Sequence, residues 1–398
     1  MSDFLEKLRR VDLRQALEVW KLPAAAAASV VHRRKHPDLW IVCEDAKEAR
    51  DNGYWFFKYV REHHPEQDIV YAIDPSSVDF EKVAALGPTV PFGTLKHWIA
   101  YLASSKKISS QKAGNPNAAI FYALEVYGLL KDVRIFLQHG VIANDLKWLY
   151  YGVTKMTRFL TSAYPEYQFV KERFGYPEGS VCLTGQCRFD GLHHPTVDPS
   201  LILIMPTWRE WIADEDHRFL EYEGTTVFSE TTYFRKWCEL ITSPELARIA
   251  SRHHVRFVFY PHRNMQKYLE DFPASNEAVE IAGSQDWDIQ ELLKRAALMI
   301  TDYSSVFFDF VYMKKPVVFY QFDYEQFRKG QYGEGYFDYG DNSFGKSYRN
   351  LDDVLTEVER CIESGYAVSD EYEAEHRRYF PLYDENNCAR VYDVVSGV

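Results

Sequence analysis

The sequence predicts an α/β protein with two Rossmann-like domains that face a central cleft. Short apolar runs of strand length alternate with amphipathic segments of helical length over residues 39–191, and the same alternation returns over residues 201–398. Residues 192–200 (LHHPTVDPS) interrupt the pattern with Pro, His, Asp and Ser, as an inter-domain linker does. Parallel sheets bind ligands beyond the carboxyl ends of their strands, so we expect the ligand in the cleft between the two domains.

In the first series, β-branched and aromatic residues dominate the apolar runs, as in IVYAI at 69–73, and this composition indicates buried strands. Segments with apolar residues at helical spacing separate the runs, and each predicts a helix that leads back to the next parallel strand. The predicted strands are 39–43, 69–73, 89–92, 106–110, 133–138, 158–162 and 181–184, and the predicted helices lie at 54–60, 79–86, 94–103 and 118–129.

The second series begins with the apolar run LILIM and continues around a polar insertion at 210–228. Its C-terminal part is amphipathic at helical spacing and predicts helices rather than strands. The predicted strands are 201–205 and 255–260, and the predicted helices are 230–241, 244–253, 263–271, 351–364, 369–379 and 384–395.

Residues 286–320 form the most informative stretch of the second series. A charged amphipathic run leads into the apolar segment 297–300, then into TDYSS at 301–305, then into a helix and the strand 317–320. The hydroxyl-rich turn therefore follows a strand and precedes a helix, where free backbone N–H groups, the helix dipole and two serine hydroxyls suit a phosphate. The alternative is that Ser304 or Ser305 only caps the helix.

Three further polar motifs follow predicted strands. They are Gln138-His139-Gly140 in the first domain, and Pro206-Thr207-Trp208-Arg209 and Pro261-His262-Arg263 in the second. Taken singly, each histidine is more often a structural residue than a catalyst. Together with the turn at 301–305, the two histidines and two arginines favour an anionic, diphosphate-like ligand, with a histidine available as a base near neutral pH.

The composition, with 46% apolar and 26% charged residues among 398, is that of a globular protein. A net charge of −12 argues against binding of nucleic acid by the whole surface. The sequence lacks a glycine-rich phosphate loop, and Asp302, Asp309 and Asp323 are too scattered to indicate a metal site. We therefore expect no nucleic acid partner, no metal and no cofactor. Six cysteines without a CxxC pair favour a reducing compartment.

The N-terminal segment 1–38 differs from the rest of the chain in charge. Residues 1–40 contain eight Lys or Arg against five Asp or Glu, a net charge of +3, which leaves −15 for the remainder. The apolar run at 22–31 has about half of the ~20 residues that a membrane span needs. Two interpretations stay open: an amphipathic helix that lies on an anionic membrane surface, or a helix packed on its own domain.

Several of these motifs together resemble the CDP-glycerol glycerophosphotransferase family of teichoic acid and capsule synthesis. They are LQHGVIANDLK, TGQCRFD, IMPTWRE, FYPHR and ITDYSSVFFDFVYMKKPVVFYQFDYEQFRKG, and the resemblance runs over about residues 39–350. It implies a GT-B-like architecture with an acceptor domain at 39–191 and a CDP-donor domain at 201–398. It also implies a peripheral enzyme on the cytoplasmic face of a bacterial membrane, where a lipid-linked saccharide or glycerol phosphate acceptor is presented.

The same resemblance implies roles for particular residues. His139 matches the family's catalytic base, and His262 matches a second essential histidine that holds the diphosphate together with the turn at 301–305. We add Arg209 and Arg263 as phosphate contacts. The complete predicted substrate-binding set is Gly140, Thr207, Arg209, Arg263, Thr301, Asp302, Tyr303, Ser304 and Ser305.

One motif departs from the family pattern. The family often has Trp-His-Gly-Thr-Pro at the first histidine, whereas this chain has Gln-His-Gly-Val-Ile at 138–142. We interpret the departure as a difference in the acceptor or in the alditol of the donor.

The expected reaction is attack of the acceptor oxygen on the glycerol-bearing phosphorus of CDP-glycerol, with CMP as the leaving group. A single, primase-like transfer is favoured because little chain remains for a polymer-tracking domain. Three alternatives stay open: a nucleotide-sugar glycosyltransferase of the same architecture, a relative that uses CDP-ribitol, and a catalytically silent subunit of a polymer-synthesis complex.

Overall fold

A computed structural model of the chain describes residues 17–111, 114–212, 224–225, 227–273 and 276–398. These residues form two compact units. The first unit takes the described part of Met1–His139 together with Lys147–Gly191 and Leu382–Val398, and the second takes Gly140–Leu146 and Leu192–Pro381.

The first unit is built around a seven-stranded parallel sheet with the strand order β3-β2-β1-β4-β5-β6-β7. Its strands are β1 (Trp40–Cys43), β2 (Ile69–Ile73), β3 (Thr89–Pro91), β4 (Lys106–Ser109), β5 (Val133–Phe136), β6 (Arg158–Thr161) and β7 (Val181–Leu183). Its helices are α1 (Lys21–Lys35), α2 (Asn52–His63), α3 (Phe80–Ala84), α4 (Leu95–Ala103), α5 (Ala118–Val126), α6 (Tyr151–Thr154) and α7 (Tyr164–Arg173), with a C-terminal helix described below.

The side chains of β1 show why this sheet is covered on both faces. Trp40 and Val42 belong to one apolar core, whereas Ile41 and Cys43 belong to the other. Successive side chains of a strand point to opposite faces, so a continuous run of buried residues needs a helix layer on each side. The first core includes residues of α2, and the second includes residues of α4.

The second unit contains a six-stranded parallel sheet with the order β10-β9-β8-β11-β12-β13. Its strands are β8 (Asp198–Met205), β9 (Arg256–Phe259), β10 (Val279–Ile281), β11 (Ala296–Thr301), β12 (Val317–Tyr320) and β13 (Gly345–Tyr348). Its helices are α8 (Thr232–Ile241), α9 (Pro244–His253), α10 (Ile289–Arg295), α11 (Phe307–Tyr312), α12 (Tyr324–Gly330), α13 (Leu351–Glu363) and α14 (Asp370–Tyr379).

The structure differs from the sequence prediction at five places in or near this unit, one of which is α12, a helix that was not predicted. Strand β8 begins at Asp198, inside the predicted linker, because Asp198 pairs with Ala296 of β11. The segment Arg263–Asp271 is a 3-10 helix rather than an α-helix. Strands β10 and β13 were not predicted, because their sequences, VEI and GKSY, lack a continuous apolar run.

The C-terminal helix α15 (Asn387–Ser396) belongs to the first unit, whereas the sequence assigned all C-terminal helices to the second domain. The backbone N–H groups of Asn387 and Cys388 each donate to the Asp190 carboxylate at 2.8 Å. Cys388, Val391 and Val395 are buried in the same core as Trp40. Two backbone donors at the helix start and an apolar face therefore fix α15 to the first unit.

Helix α1 packs on α4 within the first unit, as the second interpretation of the N-terminal segment expects. Lys21 Nζ donates to the Gly93 carbonyl at 2.9 Å, and Arg33 donates to the carbonyls of Leu102 and Ala103. Attachment to a membrane stays a prediction. Lys7, Arg9, Arg10 and Arg14 of the basic segment lie outside the described residues, and no described helix has the length and apolarity to cross a bilayer.

Candidate functional site

The turn at 301–305 connects β11 to α11 at the carboxyl edge of the second sheet. The Thr301 hydroxyl donates to the Met205 carbonyl at 2.6 Å. Asp302 Oδ1 accepts two backbone N–H bonds, from Thr207 at 2.8 Å and from Tyr303 at 2.7 Å. These bonds join the ends of the neighbouring strands β8 and β11, so the backbone of the turn is held from two sides.

A buried guanidinium completes this framework. Arg209 is 0% exposed and donates to Asp302 Oδ2 at 2.7 Å and to Asp323 at 2.7 and 3.1 Å. Its remaining nitrogen, Nη1, donates to the carbonyls of Thr207 and Trp208 at 2.9 and 3.4 Å. A guanidinium has five N–H donors, and these contacts occupy all five.

Arg209 is therefore a structural residue in this chain, and its predicted role as a phosphate contact is not supported by its position. Burial alone lowers the pKa of Arg209, but the carboxylates of Asp323 and Asp302 outweigh burial and hold that pKa well above its ordinary value. One guanidinium between two carboxylates has a formal charge of −1. This network rigidifies the turn without supplying a free positive charge for a ligand.

The side chain of Tyr303 belongs to the same framework. Its ring stacks on Phe327, with centroids 3.7 Å apart, and its hydroxyl donates to Asp323 Oδ1 at 3.2 Å. Burial raises the pKa of the Tyr303 hydroxyl, so this group stays a donor to the carboxylate. The backbone carbonyl of Tyr303 accepts from the Tyr339 hydroxyl at 3.3 Å. Only backbone atoms of Tyr303 therefore remain candidates for contact with a ligand.

The two serines of the turn have different environments. Ser304 is buried, and its Oγ accepts the Val306 N–H at 3.4 Å within the turn, whereas the helix that begins at Phe307 has no side-chain cap. Ser305 is half-buried and lies against Gly140. The two residues are so close that a β-carbon on Gly140 would lie 2.8 Å from Ser305 Oγ. The structure thus brings Gly140 and Ser305 together, and Ser305 is the more accessible of the two hydroxyls.

His262 follows β9 at the same edge of the sheet, beside β8. Its backbone N–H donates to the Pro206 carbonyl at 3.0 Å, and its ring lies on Trp208 with centroids 6.1 Å apart. His262 Nδ1 accepts the Asn264 N–H at 3.2 Å, which assigns the ring proton to Nε2 in the neutral imidazole. His262 can therefore donate a hydrogen bond through Nε2. Arg263 is exposed.

Thr207 contributes a buried hydroxyl to this edge. Its Oγ1 has no hydrogen-bond partner among the described residues, although Thr207 is only 6% exposed. An unsatisfied buried hydroxyl costs free energy, so this group is available to bond a ligand or a water molecule at the strand ends.

His139 lies at the end of β5 in the first unit and is exposed. The preceding Gln138 has a left-handed backbone with φ 65°. Its side-chain amide donates to the Leu160 carbonyl at 2.8 Å and to Glu166 at 3.0 Å, and its own carbonyl accepts from Asn52 at 2.7 Å. These buried bonds stabilise a backbone conformation that glutamine rarely adopts, directly before the predicted base.

Glu44 lies at the end of β1 in the same unit. It accepts backbone N–H bonds from Arg50, Asp51 and Tyr54 at 3.0, 3.1 and 2.6 Å. Burial, together with the nearby charge of Asp51, raises the pKa of Glu44 to about 8. A carboxyl with this pKa changes its charge near neutral pH.

Two further residues of the second-unit site, Gln321 and Asp323, were not predicted to belong to it. The Gln321 amide donates to the Asp302 carbonyl at 3.0 Å, and Asp323 pairs with Arg209. Both residues directly follow β12. Ligands lie beyond the carboxyl ends of parallel strands, and the polar residues that follow β12 carry the same signal as those that follow β8, β9 and β11.

Among the described residues, one group of side chains has metal-ligand spacing: His253, Glu359 and Glu363. Arg248 and Arg252 donate to the Glu359 carboxylate at 2.9 and 3.1 Å. Since these cations already neutralise the group, we interpret it as an ion-pair cluster between α9 and α13.

Sequence comparisons identify relatives of this chain. A family model described as CDP-Glycerol:Poly(glycerophosphate) glycerophosphotransferase matches residues 25–397. The minor teichoic acid biosynthesis protein GgaB of Bacillus subtilis is 29% identical over 98% of this chain and 44% of its own length. A teichoic acid poly(glycerol phosphate) polymerase of Staphylococcus epidermidis is 20% identical over 80% of this chain and 46% of its own length. The chain thus spans less than half of the length of each of these two relatives.

Solved structures agree on the fold. The wall teichoic acid polymerase TagF superposes with a TM-score of 0.66 at 16% identity, over 100% of this chain and 98% of that chain. A UDP-GlcNAc 2-epimerase of Methanocaldococcus jannaschii gives a TM-score of 0.54 at 10% identity, over 91% and 100%. The predicted class, two parallel-sheet α/β domains of the GT-B kind, is confirmed. The family model matches nearly the whole length of this chain, and the chain therefore belongs to the CDP-glycerol:poly(glycerophosphate) glycerophosphotransferase family.

Proposed function

We propose that this chain transfers glycerol phosphate from CDP-glycerol to an acceptor hydroxyl, releasing CMP, in teichoic acid or capsule synthesis. The observation that carries the proposal is the turn at 301–305, which the Arg209 network holds rigidly at the carboxyl edge of the second sheet. The family description names the same reaction, and one solved TagF structure is described as a soak with CDPG.

In this proposal the second unit binds the donor. The Ser305 hydroxyl, the backbone of the turn and the Nε2–H of His262 donate hydrogen bonds to the diphosphate, and the exposed Arg263 adds positive charge. Thr207 supplies its buried hydroxyl. The rigid turn favours catalysis because its donors need no rearrangement when charge builds up on the phosphoryl oxygens.

His139 acts as the general base. It takes the proton of the acceptor hydroxyl, and the acceptor oxygen forms a bond to the glycerol-bearing phosphorus. The bond between that phosphorus and the bridging oxygen breaks, and CMP leaves with the electron pair. His139 is exposed in the first unit, which suits a residue that must meet a large acceptor.

The acceptor and the location follow from the same proposal. We propose a lipid-linked saccharide or a glycerol phosphate chain end as acceptor, on the cytoplasmic face of the membrane, with the chain attached peripherally. The single, primase-like transfer stays a prediction, and the length distribution of the product tests it: one added unit supports it, and a ladder of products contradicts it.

The test is a donor screen with purified protein and a short lipid-linked acceptor. CDP-glycerol, CDP-ribitol and UDP-sugars are supplied separately, and the release of CMP or UDP is measured. We expect CMP from CDP-glycerol. UDP release from a UDP-sugar would favour the glycosyltransferase alternative, and lack of turnover with every donor would favour the silent subunit.

The variant His139→Ala tests the proposed base. We expect kcat to fall roughly 10²- to 10⁴-fold while CDP binding, measured by calorimetry, is unchanged. His63→Ala is the matched control, since His63 is an exposed histidine of the same unit that lies at the end of α2. Near-normal turnover of the His139 variant would remove this residue from the mechanism.

A further inference from the structure

The buried network beneath the donor turn has a net negative charge. The Arg209 network has a formal charge of −1, and its guanidinium has no N–H donor left for a ligand. A nucleoside diphosphate brings additional negative charge to the same edge of the sheet. Since like charges in a partly buried site repel strongly, a donor of this class needs a positive side chain near the turn that is not already neutralised.

Arg328 of α12 has the required position. Its Cζ lies 5.6 Å from the centre of the Tyr339 ring, and the hydroxyl of Tyr339 donates to the backbone carbonyl of Tyr303 in the turn. A second ring, that of Tyr324, lies 5.5 Å from the same guanidinium carbon. Two aromatic rings thus pack on the half-buried Arg328, and one of them, the ring of Tyr339, also bonds to the turn.

One polar contact orients the guanidinium. Arg328 Nη1 donates to the Asn144 Oδ1 at 3.1 Å, and within the described ranges no carboxylate forms an ion pair with Arg328. An arginine that is held by a neutral amide and by rings retains both its charge and most of its planar N–H donors. This arrangement contrasts with Arg209, whose donors are all occupied, and it is typical of an anion-binding arginine.

The segment Gly140–Leu146 fixes Asn144 in place. The Asp145 N–H donates to the Gly333 carbonyl at 3.0 Å, and any β-carbon on Gly335 would collide with the Ala143 carbonyl. At the other end of the segment, Gly140 lies against Ser305. The amide that orients Arg328 therefore belongs to a segment that also contacts the turn.

We propose that Arg328 is a phosphate-binding residue of the donor site, oriented by Asn144 and by the rings of Tyr324 and Tyr339. The inference rests on the proposed function, because the ligand is the diphosphate of the CDP donor. Arg328 balances the charge that Arg209 cannot balance. It contacts the diphosphate and not the cytosine base, so its loss affects CDP and leaves cytidine unaffected.

The test is calorimetric titration of wild type and Arg328→Gln with CDP and, separately, with cytidine. Loss of a charged hydrogen bond should raise the Kd for CDP roughly 10- to 150-fold and leave the Kd for cytidine unchanged. Arg349→Gln is the matched control, because Arg349 also lies over the Tyr324 ring but pairs with Glu325 on the exposed surface. We expect the control to bind CDP within twofold of wild type.

Arg328→Lys keeps the positive charge and loses the planar fork, so its Kd for CDP should rise by a smaller factor than that of Arg328→Gln. If the glutamine variant does not fold, the lysine variant decides the question. Wild-type affinity for CDP in the folded variants, or an equal loss of CDP and cytidine binding, overturns the role of Arg328 and leaves the proposed function intact. Failure of the wild-type protein to bind CDP or CDP-glycerol overturns both.

Discussion

Replacement of Arg209 by lysine should destabilise the second unit, because Arg209 bonds the framework of the donor turn and not the donor itself. Lysine has three N–H donors where arginine has five, so at least two of the acceptors around Arg209 lose their partner. Both carboxylates are buried, with Asp302 0% exposed. Each buried acceptor left without a donor costs about 1–3 kcal/mol, and a charged one more, so two of them together cost about 3–5 kcal/mol, a large fraction of the free energy of unfolding of a typical domain.

For a unit of this size, each kcal/mol shifts Tm by about 2–4 °C, so Arg209→Lys should lower Tm by roughly 6–20 °C. Differential scanning calorimetry measures this shift. Arg248→Lys provides the control, because Arg248 pairs with Glu245 and Glu359 on the exposed surface and its replacement should leave Tm unchanged. CDP affinity, measured well below Tm, distinguishes the two roles of Arg209. A variant with wild-type Tm and strongly reduced CDP affinity would show that Arg209 binds phosphate directly and would refute our interpretation of the network.

Three further predictions concern other parts of the chain. Ser305→Ala should raise the Kd for CDP in calorimetry more than Ser304→Ala does, because Ser304 is buried and already accepts a backbone N–H; equal effects would contradict this. Glu44 has its pKa raised by burial to about 8, so its contribution to stability is present below the ordinary carboxyl pKa and is lost as pH rises through 8. The free energy of unfolding, measured in urea, should therefore fall between pH 5 and pH 9 in the wild type and should fall by less in Glu44→Gln. Joint replacement of Arg34 and Lys35 by Gln should weaken flotation with anionic vesicles roughly tenfold or more, since both are exposed; unchanged flotation would contradict a membrane role for α1.

The fold was predictable because its signal is local. An uninterrupted apolar run such as WIVC in β1 indicates a strand buried on both faces, and nearly all predicted strands are found within a few residues of their predicted bounds. The exceptions, β10 and β13, have the sequences VEI and GKSY, in which charged or polar residues interrupt the apolar pattern. The position of α15 was not predictable, because the acceptor for its backbone N–H groups, Asp190, lies about two hundred residues earlier in the chain.

The candidate site was only partly predictable for a related reason. The turn at 301–305, His262 and Thr207 were predicted as site residues because each follows a predicted strand, and a parallel sheet brings the carboxyl ends of its strands to one edge. The role of Arg209 depends on two aspartates that are distant in sequence, and the spacing of Asp302 and Asp323 gives no sign that they share one guanidinium. The left-handed backbone of Gln138 likewise could not be predicted from the sequence, because its hydrogen-bond partners Asn52 and Glu166 belong to other elements.

The place of α15 in the first unit has a consequence for synthesis on the ribosome. Residues 192–381, which belong to the second unit, are translated after the first sheet and before α15. Translation proceeds at about 5–20 residues per second, so roughly 10–40 s pass between synthesis of the first sheet and synthesis of α15. This helix covers Trp40 and bonds to Asp190. During that interval a patch of its apolar core is open to solvent or to chaperones. A shortened gene that stops after residue 191 therefore should yield an aggregation-prone fragment, whereas a circular permutant that begins with α15 should let the first unit fold as it emerges.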